Sequence, residues 1–129
     1  MLKWEQTLMG TLGMELVKQT ETSVEISMAI SERNVQPFGF LHGGASVALA
    51  ETAASIGSAG IINLEEEICF GAEINANHIK SVREGSVTAI ATLQHKGRSL
   101  HVWTIEVKND KGELVCLSRC TMAVTKKRV

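Results

Sequence analysis

From residue 12 onward, apolar and polar positions alternate along much of the chain. Leu12, Met14 and Leu16 are interleaved with Gly13 and Glu15, and Val24, Ile26, Met28 and Ile30 with Ser23, Glu25 and Ser27. A period of two is that of a strand with one buried face, so these residues predict two antiparallel strands joined by a short turn at 20–22. The pattern resumes at Ile68, Phe70, Ala72, Ile74 and Ala76, which share one face opposite Glu73, Asn75 and Asn77. It continues with Val87, Ala89, Ala91 and Leu93 against Thr88, Thr92 and Gln94. Two further strands, over 100–108 and 114–124, flank Asn109-Asp110-Lys111-Gly112, a hairpin signal. Residues 1–10 form a short helical or irregular lead-in, with Trp4 and Leu8 one turn apart.

Between the first two strands and the rest, the period disappears. Residues 43–62 are small or aliphatic almost without exception, contain no proline, and carry Glu51 as their single charge. The run is too long for an ordinary strand and predicts a helix surrounded by protein on most sides. Pro37, the only proline, falls in the polar loop over 31–39 that leads into it. Two strands, one long helix and four strands make an α+β chain with an antiparallel sheet and a buried helix. The later strands are apolar on both faces: Trp103, Ile105 and Val107 alternate with Leu100 and Val102, and Cys116, Cys120 and Met122 with Val115, Leu117 and Ala123. Burial of both faces implies a partner subunit.

Composition narrows the function. At 129 residues the chain is one domain, 1–129, with no linker or internal repeat. A net charge of −1 gives no general attraction to nucleic acid or to an anionic membrane. Glu51 and the Gly, Ala, Ser and Thr content of 43–62 make lipid exposure of that run costly. Cys69, Cys116 and Cys120 are odd in number and lack Cys-x-x-Cys spacing, and His42, His78, His95 and His101 are scattered. Neither a disulfide framework nor a metal site is expected, and no cofactor. The first five residues lack the apolar core of a signal peptide, so a cytoplasmic protein is expected.

The chemistry converges on the helix. A carboxylate on a buried helix is costly unless it is paired or retained for catalysis, which singles out Glu51. Ser55, four residues on, lies on the same helix face, where its hydroxyl can position a water. At the helix start, Gly43 and Gly44 allow close approach to backbone N–H groups at the positive end of the dipole, a site for an oxyanion or polarised carbonyl. His42, just before them, can orient that region or donate to a substrate.

Phe40-Leu41-His42-Gly43-Gly44, Glu51 nine residues after His42, and Glu73-Ile74-Asn75-Ala76-Asn77-His78 together resemble the hotdog-fold acyl-CoA thioesterases. The similarity is to the branch of phenylacetate-pathway and 4-hydroxybenzoyl-CoA thioesterases and spans roughly residues 9–124. It implies a curved antiparallel sheet wrapped around one long helix, dimers joined edge to edge, often homotetramers, and two active sites per homodimer at the subunit interface. It further implies that Glu51 acts on a thioester as nucleophile, through a mixed anhydride, or as general base on water. Gly43 would bind the thioester oxygen, with Gln36 matching a family position whose amide holds the carbonyl or the water. The substrate implied is an acyl-CoA with an aromatic or similarly bulky acyl group. For its coenzyme A part, Gly44, His78, Lys80, Ser81, Arg83, Lys96, Gly97 and Arg98 are the candidates, the basic ones expected at two adjacent turns. Two other functions share these residues: hydratase or dehydratase chemistry pairing His42 with Glu51, and non-catalytic binding of acyl-CoA by a sensor module.

Overall fold

Six antiparallel strands curve around one long helix in the computed structural model, which describes residues 1–128. After a 3₁₀ turn at Trp4–Gln6 come α1 (Leu8–Leu12), β1 (Met14–Gln19) and β2 (Ser23–Ala29). The long helix α2 (Gly43–Ala59) is followed by β3 (Glu67–His78), β4 (Ser86–Lys96), β5 (Leu100–Asn109) and β6 (Leu114–Lys126). Strand order across the sheet is β1-β2-β4-β5-β6-β3. The α+β hotdog arrangement expected from the resemblance is therefore present.

The core lies between the concave face of the sheet and α2. Val24, Ile26 and Met28 of β2, Val87, Ala89 and Ala91 of β4, and Trp103, Ile105 and Val107 of β5 are all buried against Leu49, Ala50, Ala53 and Ala54. Small helix residues let the sheet approach closely. At the end of α2, the Ser58 hydroxyl accepts a hydrogen bond from the Trp103 indole N–H at 2.9 Å and lies 2.8 Å from Nδ1 of His101. Burial, and then the positive charge of Lys96, hold the His101 imidazole below its ordinary pKa; Glu67 opposes them and His95 adds a smaller push in the same direction as Lys96.

Three elements differ from expectation, each for a local reason. Leu12 belongs to α1, because Gly13 adopts φ +84 and caps that helix before β1 begins at Met14. Helix α2 stops at Ala59 rather than at 62: the Ile61 N–H bonds back to the Ser58 carbonyl, and the Gln19 amide takes the Ile56 carbonyl. In β3 the apolar residues do not share one face. A bulge between Gly71 and Glu73 inserts a residue, so Cys69 and then Ile74 and Ala76 pack inward, while Ile68 and Phe70 are 36% and 57% exposed. Leu100 and Leu117 are exposed on the outer face as well. Among the described residues, no helix is long and apolar enough to cross a membrane.

Candidate active site

The start of α2 is held by its incoming loop. The side-chain amide of buried Asn34 donates to the carbonyls of Leu12 and Ala29, while its backbone carbonyl accepts the His42 N–H at 2.9 Å. The Leu41 N–H donates to the Val82 carbonyl at 2.7 Å. His42 then caps the helix: its Nδ1 accepts the Gly44 N–H at 2.8 Å, and its carbonyl accepts from Ala45 and Ser46. Gly43 is left as the residue of the first turn whose N–H has no acceptor among the described residues.

That free donor opens into a cleft of about 290 Å³ lined by Gln36, Phe40, Gly43, His78, Lys80 and Ser81. The His78 imidazole crosses the helix start so closely that a Cβ on Gly43 would lie 3.0 Å from its Nε2. Gln36 Oε1 accepts the N–H of Phe38, which turns the loop and leaves the amide nitrogen at the cleft. Lys80 pairs with Glu113 at 3.1 Å, and this pair together with an Asn109 hydrogen bond lowers the pKa of the Glu113 carboxyl, Asn109 making the largest contribution. Arg83 stacks 4.5 Å from the Phe40 ring centre and donates to the Phe38 carbonyl, bracing the same loop.

Glu51 faces elsewhere. It is half-buried in a second recess, of about 300 Å³, with Leu8, Met9, Ala48, Ser55 and Ile56. Ser55 shares this recess, as its spacing predicts, and its carbonyl accepts the Cys69 thiol at 3.8 Å. The carboxylate reaches β3 at Gly71. The one ion pair among the described residues joins Lys80 and Glu113, so Glu51 has no cationic partner among them. Cys120 lies behind it; burial first, then the charges of Glu51 and Glu73, push its thiol up to about 12. Eight residues separate Gly43 from Glu51 on α2, about 12 Å along a helix axis.

The expected site residues therefore fall into separate groups. Gln36, Gly43, His78, Lys80 and Ser81 meet in the first cleft, and Glu51 and Ser55 in the second recess. His42 lines a third, with Leu8, Val35 and Ala48, and is the helix cap. Gly44 cannot offer its N–H to a ligand while His42 holds it. The basic residues do not gather at two adjacent turns. Lys80 and Arg83 precede β4, whereas Lys96 is its last residue and Gly97 and Arg98 follow it; its 11 residues extend about 35 Å. The two turns are neighbours in chain order but lie at opposite ends of one long strand. Two features escaped sequence reading: the approach of His78 to Gly43, and that of the Glu51 carboxylate to Gly71, whose signal is a glycine inside a strand.

The thioesterase superfamily model matches residues 38–116. Among curated proteins, 1,4-dihydroxy-2-naphthoyl-CoA hydrolase of Listeria monocytogenes is 49% identical over 121 residues, covering 94% of this chain and 98% of that protein. The crystal structure of a mutant thioesterase from Staphylococcus aureus superposes with a TM-score of 0.90 at 47% identity, covering 92% of this chain and 98% of that one. A mutant thioesterase from Pseudomonas aeruginosa gives 0.93 at 40% identity, covering 96% and 89%.

Proposed function

The chain belongs to the thioesterase superfamily, and from that premise we propose that it hydrolyses acyl-CoA thioesters to a free acid and coenzyme A at a site shared between two copies. The observation that carries this reading is the separation of its two halves. A free N–H donor at Gly43 and an unpaired carboxylate at Glu51 lie on one helix but open into different recesses. Neither half alone can do the chemistry, since the oxyanion donor and the attacking group must reach the same carbonyl.

Edge strand β3 supplies the means of joining them. Twelve residues long, it pairs with β6 on one side and has no strand on the other. An unpaired edge of this length is a template for another strand. In our reading two copies pair along it, and each site takes Glu51 and Ser55 from one copy and Gln36, Gly43 and His78 from the other.

Within such a site, the Gly43 N–H stabilises charge on the thioester oxygen in the transition state, an effect worth about 10²–10³ in rate for one donor. Gln36 steadies the carbonyl or the incoming water. Glu51 either attacks the carbonyl carbon, expelling the thiolate and forming a mixed anhydride that water then cleaves to the free acid, or takes the proton of a water held by Ser55 as that water attacks and the thiolate leaves; the thiolate departs as coenzyme A. Leu8, Met9, Ala48 and Ile56 offer the acyl group an apolar wall. Together with the name of the Listeria relative, a 1,4-dihydroxy-2-naphthoyl-CoA hydrolase, this favours an aromatic acyl group. Lys80 lines the cleft and Arg83 stacks on Phe40 in its wall, so both are candidates for the nucleotide phosphates; Lys96, Gly97 and Arg98 can contribute to that site only from another copy.

The test is thiol release from a panel of aromatic, short and long aliphatic acyl-CoAs by the wild type and Glu51→Ala. Loss of turnover in the variant is expected. Equal rates, or tight binding without turnover by the wild type, would overturn the assignment.

A further inference from the structure

We propose that Gly71 is a positioning residue for the Glu51 carboxylate, its missing side chain being the space that the carboxylate occupies. The proposal rests on Glu51 being the catalytic acid. A glycine inside a strand usually reflects backbone need or a close approach. Backbone need does not apply: the positive-φ glycines are Gly13, Gly39, Gly85 and Gly112, and Gly71 is not among them. Crowding by the sheet does not apply either, because the three nearest atoms to a Cβ built at Gly71 all belong to Glu51. Such a Cβ would collide with Oε2 and lie 3.1 Å from Cδ and 3.6 Å from Cγ.

The local fold explains how a mid-strand residue comes to face a helix carboxylate. Gly71 pairs with buried Met122 and so points inward, immediately before the bulge that separates it from Glu73. Among the described residues Glu51 has no ion-pair partner that would fix its direction. Its three rotatable bonds must be restrained by shape, and the notch at Gly71 is the restraint that the structure offers. One methyl group there forces the carboxylate into another rotamer, and a displacement of about 1 Å at a reacting group can cost about 100-fold in rate.

The experiment compares Gly71→Ala, Glu51→Ala and the double variant. For Gly71→Ala, kcat with an acyl-CoA accepted by the wild type is expected to fall about 10- to 100-fold, with KM within about threefold. Its melting temperature should also fall, and the same substitution should leave the melting temperature unchanged when Glu51 is already Ala, because the colliding group is gone. Wild-type kcat in Gly71→Ala beside an inactive Glu51→Ala overturns the proposal alone. Wild-type rates in Glu51→Ala overturn the catalytic reading instead, and the melting data still judge the contact. Should Gly71→Ala fail to fold, folding of the double variant supports the proposal, and failure of both attributes the cost to strand pairing and overturns it.

Discussion

Trp103 lies flat enough against Gly57 that a Cβ on the glycine would sit 2.6 Å from Cζ2 of the indole. The largest buried side chain in the protein thus depends on an absent one across the helix–sheet interface. Its N–H is satisfied next door, by Ser58.

Replacing Gly57 by alanine should therefore destabilise the fold despite alanine's better helix propensity. Overpacking of this kind costs about 1–3 kcal/mol, against a propensity gain of about 1. Thermal melting of Gly57→Ala is expected to show a net loss. Ser58→Ala should cost about 1–3 kcal/mol by leaving the buried Trp103 N–H without an acceptor.

Stability should also respond to acid through His101. Its native pKa is held below the ordinary 6.5, so as pH falls through that value the unfolded chain binds a proton that the folded chain does not. Linkage then makes the folded state progressively less stable below about pH 6.5, and His101 contributes no slope well above it. Urea midpoints between pH 8 and 5 will show this decline, and His101→Gln should reduce its steepness.

A site split between copies predicts complementation. Glu51→Ala and Gln36→Ala should each be nearly inactive alone. Mixed after subunit exchange, they should form heterodimers with one site intact and one doubly defective, recovering up to about a quarter of wild-type activity at equal concentrations. A site contained within one chain would recover nothing.

The apolar recess beside Glu51 predicts selectivity for the acyl group. Ala48→Phe should fill the space between Leu8 and Ile56. It is expected to lower kcat/KM for a naphthoyl- or benzoyl-CoA at least about tenfold more than for acetyl-CoA, as a pocket blocked by bulk discriminates by size. Rates for both substrates on the two proteins check it.

Most of the architecture was legible because its signals are periodic. Alternation from Val24 to Met28 and from Val87 to Ala91 reported strands with one buried face. The small-residue run reported a helix that a sheet could wrap. What alternation cannot report is its own interruption. In β3, Phe70 and Ile74 have the same parity, yet the bulge puts them on opposite faces. Candidate chemistry was legible as residue types, since a lone carboxylate in an apolar run stands out. Its geometry was not. Whether His42 serves a ligand or caps a helix depends on one side-chain rotation, and whether Arg83 and Arg98 are neighbours depends on the length of the strand between them.

Strand β3 is made before β6, its neighbour in the sheet. Ribosomal synthesis delivers Glu67–His78 ahead of a three-strand meander, and the pairing partner Leu114–Lys126 emerges last. Until then α2 lacks one wall and β3 has both edges bare, so synthesis must run through β6 before this part of the sheet can close. Truncation ahead of Leu114 removes the strand that holds β3, and with it the wall beside Glu51.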